Sequence, residues 1–366
     1  MSAASGLAGL WPWRREGARR PVALALQGGG AHGAFTWGVL DELLRRNDLE
    51  VAALSGTSAG AMNAIVLAHG LLDGGTEGAR EALHRFWHAV SEQMPAGAVR
   101  PTRSEDEVPS LHPAAQAMLQ WSKLLSPYAL NPLNLNPLRK LLSSQIDFER
   151  LRASRGPQIF IAATNANTGQ LRLFKRQELT VEMALASACL PMLMQAVEID
   201  GEPYWDGGYA ANPALLPLVC ETDAPDLLIL TLNPRVFGAL PRTVSQIQHR
   251  ALEIGFNACF LHELRWLQQL QVLARQGAWR GWGWRRRVAA LRVHVIEADE
   301  QLAGLPMHTK IIAHRPFMEA LRDRGRAHAQ VWLASQGEAI GQRSSADLAA
   351  LLGDGALPMG PLGSPA

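Results

Sequence analysis

The sequence predicts an α/β fold with a parallel sheet flanked by helices, on three observations. Pro21 to Leu26 (PVALAL) is a short apolar run that stops at Gly28, Gly29 and Gly30, which reads as a buried strand entering a tight turn. From Ala34 to Arg46 the residues Trp37, Leu40 and Leu44, with Val39 and Leu43 beside them, recur at helical spacing. The pattern then repeats, as Val51 to Leu54 leads into Gly56-Thr57-Ser58-Ala59-Gly60 and the alanine-rich stretch Ala61 to His69. Two strand-turn-helix units in succession predict parallel strands with helices on the sheet faces.

Past residue 70 the pattern loosens. Residues 93–137 hold seven prolines among short apolar pieces, a poor composition for central sheet and a suitable one for a cap over a site. Further strands are expected at Ile159 to Ala163, Asp226 to Leu232 and Leu291 to Ile296, with a hairpin over Ala196 to Trp205 turning at Asp200-Gly201. The chain thus divides into an N-terminal extension at 1–20, an α/β domain at 21–234 carrying the cap, a helical region with one further strand at 235–340, and a Gly/Pro/Ser-rich tail at 341–366 expected to be disordered.

With 366 residues, about half of them apolar, the chain can bury a sizeable core. A formal net charge of +2 gives no global field for nucleic acid, so no such partner is expected. Cys189, Cys220 and Cys259 are far apart, odd in number and lack metal-ligand spacing, so they are expected as buried thiols in a reducing compartment. The cluster Arg14, Arg15, Arg19 and Arg20 follows the apolar MSAASGLAGLWPW, the reverse of a secretory signal, and no long uncharged apolar run could span a bilayer. A cytoplasmic location is expected, with any membrane contact confined to the protein surface.

Three motifs carry chemistry. Gly28-Gly29-Gly30-Ala31-His32-Gly33 fits G-x-G-x-x-G between a strand and a helix. Glycines let the backbone approach a ligand closely, and the N–H groups of such a turn form an anion site, for a dinucleotide pyrophosphate or a tetrahedral oxyanion. A dinucleotide fold needs an acidic residue at the end of its second strand. Here Asp48 and Glu50 precede that strand, which ends in Ser55-Gly56.

The second motif, Gly56-Thr57-Ser58-Ala59-Gly60, fits the G-x-S-x-G nucleophile elbow, where a sharp turn projects a serine hydroxyl between small neighbours. The bland alternative is a serine capping a helix. A serine hydroxyl needs a base. His249, His262, His294, His308, His314 and His328 lie downstream without a distinctive turn setting. The third motif, Tyr204-Trp205-Asp206-Gly207-Gly208, offers an aspartate at a hairpin end whose two following glycines let another group approach, although Asp-Gly is also an ordinary turn.

The ordered set GGGAHG, GTSAG and DGG resembles the patatin-like phospholipase family, and Ala186-Ser187-Ala188-Cys189-Leu190-Pro191 resembles the family's segment before its aspartate. The similarity covers roughly residues 21–234. It implies a three-layer α/β/α sandwich with a mostly parallel central sheet and helical cap insertions. It further implies a hydrolase acting on carboxylic ester bonds of lipids without a cofactor or metal. By the same resemblance Ser58 is the nucleophile, Asp206 the proton acceptor, and the amides of Gly28, Gly29 and Gly30 the oxyanion hole, with Gly33, Gly56, Gly60, Gly207 and Gly208 completing the motifs. His32 departs from the arginine or lysine of many members. Two readings of other classes stand beside this one: a dinucleotide-binding oxidoreductase using the glycine turn, and a non-catalytic lipid-binding module.

Residues 258–287 combine a helix-compatible apolar stretch with Trp279, Trp282 and Trp284 interleaved among Arg280, Arg285, Arg286 and Arg287. Tryptophan with arginine suits a membrane interface, and a core-packing helix followed by a solvated basic loop gives the same composition.

Overall fold

β1 (Arg20–Leu26) and β2 (Leu49–Gly56) pair in parallel, with Leu26 opposite Gly56, and α1 (Gly33–Arg46) crosses between them. The structure, a computed structural model, describes residues 19–94, 97–100, 108–122, 125–238, 240–276, 283–302 and 304–353. α2 (Ala59–Ser91) follows and is broken at Gly74-Gly75, where non-helical dihedrals separate two helices. Next come α3 (Pro113–Ser122), α4 (Pro127–Leu130), α5 (Pro137–Gln145), α6 (Phe148–Ala153), β3 (Gln158–Asn165), β4 (Leu171–Lys175) and α7 (Val181–Ser187). The expected hairpin forms from β5 (Val197–Ile199) and β6 (Glu202–Asp206), and its turn residues Asp200 and Gly201 both have positive φ, as a tight two-residue hairpin turn requires. Then come α8 (Leu216–Cys220), β7 (Asp226–Thr231), α9 (Val244–Arg275), α10 (Gly283–Ala290), β8 (Arg292–Glu297), α11 (Asp299–Leu302), α12 (Arg315–Gln336) and α13 (Leu348–Leu352).

Strands β3, β2, β1, β7 and β8 lie side by side in that order, all parallel. β4 and β6 both pair antiparallel with β3. β4 overlaps β2 at Phe160 and Ile161 and overlaps β6 at Ala163 and Thr164, so it must lie on the other edge of β3 from both. β2 and β6 therefore meet end to end along one edge of β3, β2 finishing at the pair Gly56–Ile161 and β6 at the pair Asp206–Ala163. This junction brings the residues after β2 and the end of β6 together. β4 (LRLFK) adds a strand that the sequence reading does not contain.

Both faces of the sheet are covered, giving three layers. Val22, Leu24 and Leu26 of β1 join a core with Phe35, Trp37 and Leu40 of α1, Ile65 and Phe86 of α2, and Leu321 of α12. The alternate residues Ala23 and Ala25, with Ala53 and Phe160, face Leu218 of α8, Phe260 and Leu264 of α9, and Val288 of α10.

The region from residue 235 is built into the same sheet and core. β8 pairs with β7, and α12 crosses α1 so closely that a Cβ on Gly38 would lie 1.9 Å from the Arg322 carbonyl oxygen and one on Gly325 2.2 Å from that of Phe35. The disorder expected from residue 341 does not hold for 341–353. Ser345 and Ala346 donate their N–H groups to the Val293 carbonyl, and Leu348 of α13 is buried. Paired backbone and one apolar anchor outweigh the loop-like composition; the remainder of the tail, like residues 1–18, lies outside the described residues. The three cysteines are free, but only Cys189 is buried, Cys220 being exposed and Cys259 intermediate.

Candidate active site

The nucleophile elbow forms because only small residues fit around it. A Cβ on Gly56 would lie 2.5 Å from the Gly60 carbonyl oxygen, and one on Gly60 would lie 2.1 Å from that of Leu26. Between them Ser58 has φ 54° and ψ −122°, a region that non-glycine residues seldom occupy and that costs on the order of 1–3 kcal/mol. Three hydrogen bonds hold this conformation. Ser58 N–H donates to Ser187 Oγ at 3.0 Å, the Thr57 hydroxyl to the Ala211 carbonyl at 2.8 Å, and Gly60 N–H to the Thr57 carbonyl at 2.8 Å. Ser58 itself is half-buried, between buried neighbours.

Asp206 ends β6 beside this elbow and is 1% exposed. Its N–H donates to the Cys189 carbonyl at 2.7 Å, its carbonyl accepts from the Thr164 hydroxyl at 2.9 Å, and its Oδ1 accepts from Gly208 N–H at 2.8 Å. Oδ2 is buried with no hydrogen-bond partner among the described residues. Burial pushes the carboxyl up to about 7, against the opposing influence of Gly208 N–H and the neighbouring Ser58 hydroxyl. An ionisable oxygen held dry and unpaired beside a serine is poised to receive a proton. Gly207 and Gly208 are required sterically, since a Cβ would lie 2.3 Å from the Ala162 carbonyl oxygen in one case and 2.1 Å from the Phe256 ring in the other.

The glycine turn touches the elbow directly, because a Cβ on Gly28 would lie 2.8 Å from Ser58 Cβ. Gly33 is equally confined, by Ala59 and Trp87. The three amides expected to face an oxyanion are not equivalent. Gly28 N–H is already bound to Asn212 Oδ1 at 2.7 Å, which fixes the turn and removes that donor. The N–H groups of Gly29 and Gly30 have no protein acceptor among the described residues.

Asn212 and Ser187 are site residues that the motif reading leaves without a role. Ser187 stands in ASACLP, a stretch the sequence singles out, but nothing in the spacing says that Asn212 binds Gly28 or that Ser187 binds Ser58. His32 is 3% exposed, and burial, with Lys310 nearby, lowers it to about 3, so the ring is neutral. The Thr309 hydroxyl donates to the Pro306 carbonyl at 2.6 Å, leaving its oxygen to accept from His32 Nε2–H at 2.8 Å. His32 therefore packs against the C-terminal region and offers no cation.

No histidine among the described residues hydrogen-bonds Ser58 or Asp206. A Ser-His-Asp trio does occur elsewhere. His294 Nδ1 lies 2.9 Å from Ser345 Oγ and its Nε2 2.9 Å from Asp226 Oδ1. Asp226 begins β7, at the opposite end of the parallel strands from Ser58, and is also bound by Arg292 and Gly341 N–H. This trio ties the C-terminal segment to the sheet.

Of the Trp/Arg cluster, Trp279, Trp282 and Arg280 lie outside the described residues. Trp284 is 50% exposed with the Arg285 guanidinium over its ring, Arg286 is exposed, and Arg287 pairs with Asp223. Asp223 precedes β7 and α10 precedes β8, so Trp284 and Arg285 to Arg287 too are at the far end of the sheet, about 20 Å from Ser58 along strands of six or seven residues. No group of His, Cys, Asp and Glu suited to a metal occurs among the described residues, and none of their helices is long and apolar enough to cross a membrane.

No curated protein sequence matches the chain. Among solved structures, VipD from Legionella pneumophila aligns at 14% identity with a TM-score of 0.32, over 88% of this chain and 76% of that one. The family model for patatin-like phospholipases matches residues 24–219, more than half of the chain, and that span contains the glycine turn, the elbow and the Asp206 hairpin. The chain belongs to the patatin-like phospholipase family.

Proposed function

We propose that the protein is a serine acyl hydrolase acting on lipid esters, with Ser58 as nucleophile and Asp206 as general base. The observation that carries this is the junction of a strained, half-exposed serine with a buried aspartate whose free oxygen has no other partner. Ser58 Oγ attacks the ester carbonyl carbon while its proton passes to Asp206 Oδ2, and the carbonyl electron pair becomes an oxyanion facing the N–H groups of Gly29 and Gly30. Collapse of this intermediate breaks the ester bond and returns the proton to the departing alkoxide, leaving an acyl-serine. Water, deprotonated by the same aspartate, then releases the fatty acid and restores Ser58. A missing oxyanion donor costs on the order of 2.7–4 kcal/mol of transition-state stabilisation, so two free amides are a substantial contribution.

The dinucleotide reading loses its support from the site geometry. The glycine turn packs on the elbow, with Ser58 Cβ and the Thr57 carbonyl against Gly28, and Thr57 and Ser58 stand after β2 where a dinucleotide fold has its acidic residue. Contact with lipid is better supported near the elbow than at Trp284. The Tyr128 hydroxyl accepts from Ala196 N–H at 3.3 Å, and Gln195 Nε2 donates to the Asn131 carbonyl at 2.6 Å, so the Pro-rich segment around α4 is tied to the loop that leaves Cys189 beside Asp206. Tyr128, Leu133 and Leu135 of that segment and Met192 and Leu193 of the loop are exposed.

A fluorophosphonate probe tests the assignment. Wild-type protein should be labelled once, at Ser58, and Ser58→Ala should not be labelled while melting normally. Labelling of Ser58→Ala at the wild-type level would remove Ser58 from the mechanism.

A further inference from the structure

The glycine turn is held from behind by a segment outside the span that matches the family model. Residues Met307–Ile311 form a 3₁₀ turn in which Thr309 and Lys310 engage it or its support. The Thr309 hydroxyl oxygen receives His32 Nε2–H. The Lys310 carbonyl lies so close to Gly30 that a Cβ there would stand 2.2 Å from the oxygen, and Gly30 has φ +58°. The Lys310 ammonium, with its side chain 18% exposed, donates to Asn233 Oδ1 at 2.7 Å and faces Glu253 at 3.8 Å.

Asn233 is the junction. Its N–H donates to Gln27 Oε1 at 2.8 Å, and its side-chain amide points at the Gly28 carbonyl at 3.5 Å. Gln27 in turn donates to the Asn212 carbonyl at 3.2 Å, and Asn212 Oδ1 receives Gly28 N–H. Gln27, Asn212 and Asn233 are all nearly fully buried. A chain of amides thus holds both polar groups of Gly28, and Lys310 is the cation attached to it. Burial lowers the Lys310 pKa, against the pull of Glu253, as expected for an ammonium kept in a dry setting by its hydrogen bonds.

We propose that Lys310 is a positioning residue for the oxyanion turn: its ammonium orients and polarises Asn233, which fixes the Gly28 peptide and so aims the Gly29 and Gly30 amides. The catalytic consequence rests on reading that turn as the oxyanion site, whereas the holding of the turn does not. A charged donor strengthens each amide bond in the chain, and turn amides lose effectiveness when displaced by a fraction of an ångström.

The test compares wild type with Lys310→Met, Lys310→Arg and Ser58→Ala by two measurements. Hydrogen–deuterium exchange over residues 27–36 reads the turn without requiring any activity. Lys310→Met should exchange there about tenfold faster, with the rest of the sheet unchanged, and Lys310→Arg should restore protection. Ester hydrolysis should fall about 10- to 100-fold in kcat for Lys310→Met with KM within about twofold, and recover in Lys310→Arg. Wild-type protection of the turn in Lys310→Met would overturn the proposal whatever the activity; hydrolysis by Ser58→Ala at the wild-type rate would instead overturn the nucleophile. Should Lys310→Met fail to fold, Lys310→Gln carries the same exchange criterion.

Discussion

Gly28 and Ser58 stand against each other, such that a Cβ on Gly28 would lie 2.8 Å from Ser58 Cβ and 2.7 Å from the Thr57 carbonyl oxygen. One of these neighbours is backbone, so it cannot swing aside, and Gly28→Ala must push the turn and the elbow apart. Hydrolysis of a soluble ester should fall at least about 100-fold, because a displacement near 1 Å has that effect on an aligned site. Gly255→Ala is the control: no atom lies within 4 Å of its added Cβ, and α9 continues through it. That substitution should leave activity unchanged and raise stability by up to about 1 kcal/mol in a denaturant melt. Equal activities for the two variants would show that the turn and the serine do not work together.

The raised pKa of Asp206 has two consequences of opposite use. As a base it must be ionised, so kcat/KM should rise with pH through about 7 and then level off. For folding the sign reverses. The carboxyl binds its proton more tightly in the folded state than at the ordinary value of 3.8, so this contribution to stability is complete below 3.8 and is lost as pH rises through about 7. Asp206→Asn removes that loss. It should be inactive yet more stable than wild type at pH 8, on the order of a few kcal/mol, with the difference closing towards pH 4. A destabilised Asp206→Asn at pH 8 would contradict a carboxyl whose burial outweighs its hydrogen bonds.

The motifs that carry the proposed dyad are legible in the sequence because each is local and its glycines are demanded by close contacts. Gly56, Gly60, Gly207 and Gly208 each face a carbonyl or ring that leaves no room for a side chain, so the pattern records the packing. What joins the motifs was not legible. The meeting of β2 and β6 on one edge of β3 depends on register over more than a hundred residues, which no local spacing encodes. The same holds for Asn212, Ser187 and Lys310, common polar residues whose roles come from partners distant in the chain. For the Trp/Arg residues, composition suggests an interface but says nothing of which end of the sheet carries Trp284 and Arg285 to Arg287.

Asp226 secures the end of the described chain. Burial alone would raise its carboxyl, but Arg292, His294 and Gly341 N–H outweigh burial and hold it down at about 2. Its stabilising effect is therefore present above the ordinary value of 3.8 and is lost as pH falls towards 2, a swing on the order of 2 kcal/mol. Asp226→Asn should remove this acid-dependent part and release residues 341–353 from the Val293 carbonyl, so limited proteolysis should cut there in the variant first. Ester hydrolysis by the remaining folded protein should persist, since Asp226 and Ser58 lie at opposite ends of the strands. Simultaneous loss of hydrolysis and of the C-terminal segment would mean that the two ends are coupled.

The position of the site predicts which surface meets lipid. If aggregated lipid reaches Ser58 from the elbow side, the exposed apolar residues tied to the Asp206 loop should sit in the interface, and those beside α10 should not. Leu133 is 78% and Leu135 70% exposed, so neither contributes much to the core, and replacing both by serine should leave the melting temperature almost unchanged. Hydrolysis of phospholipid vesicles at subsaturating lipid should nonetheless fall about 100-fold or more, at about 1.5–3 kcal/mol for each side chain fully buried in lipid, while a soluble short-chain ester is cleaved as before. Trp284→Ala with Arg285→Gln and Arg286→Gln provides the opposing variant. About 1 kcal/mol per basic residue would be lost on anionic vesicles if that end of the sheet docked on the bilayer, and added salt would reduce the difference. Because that end lies about 20 Å from Ser58 along the strands, these substitutions should leave vesicle hydrolysis unchanged. A vesicle-specific defect in the Trp284 variant, with none in the Leu133 and Leu135 variant, would assign lipid contact to α10 instead.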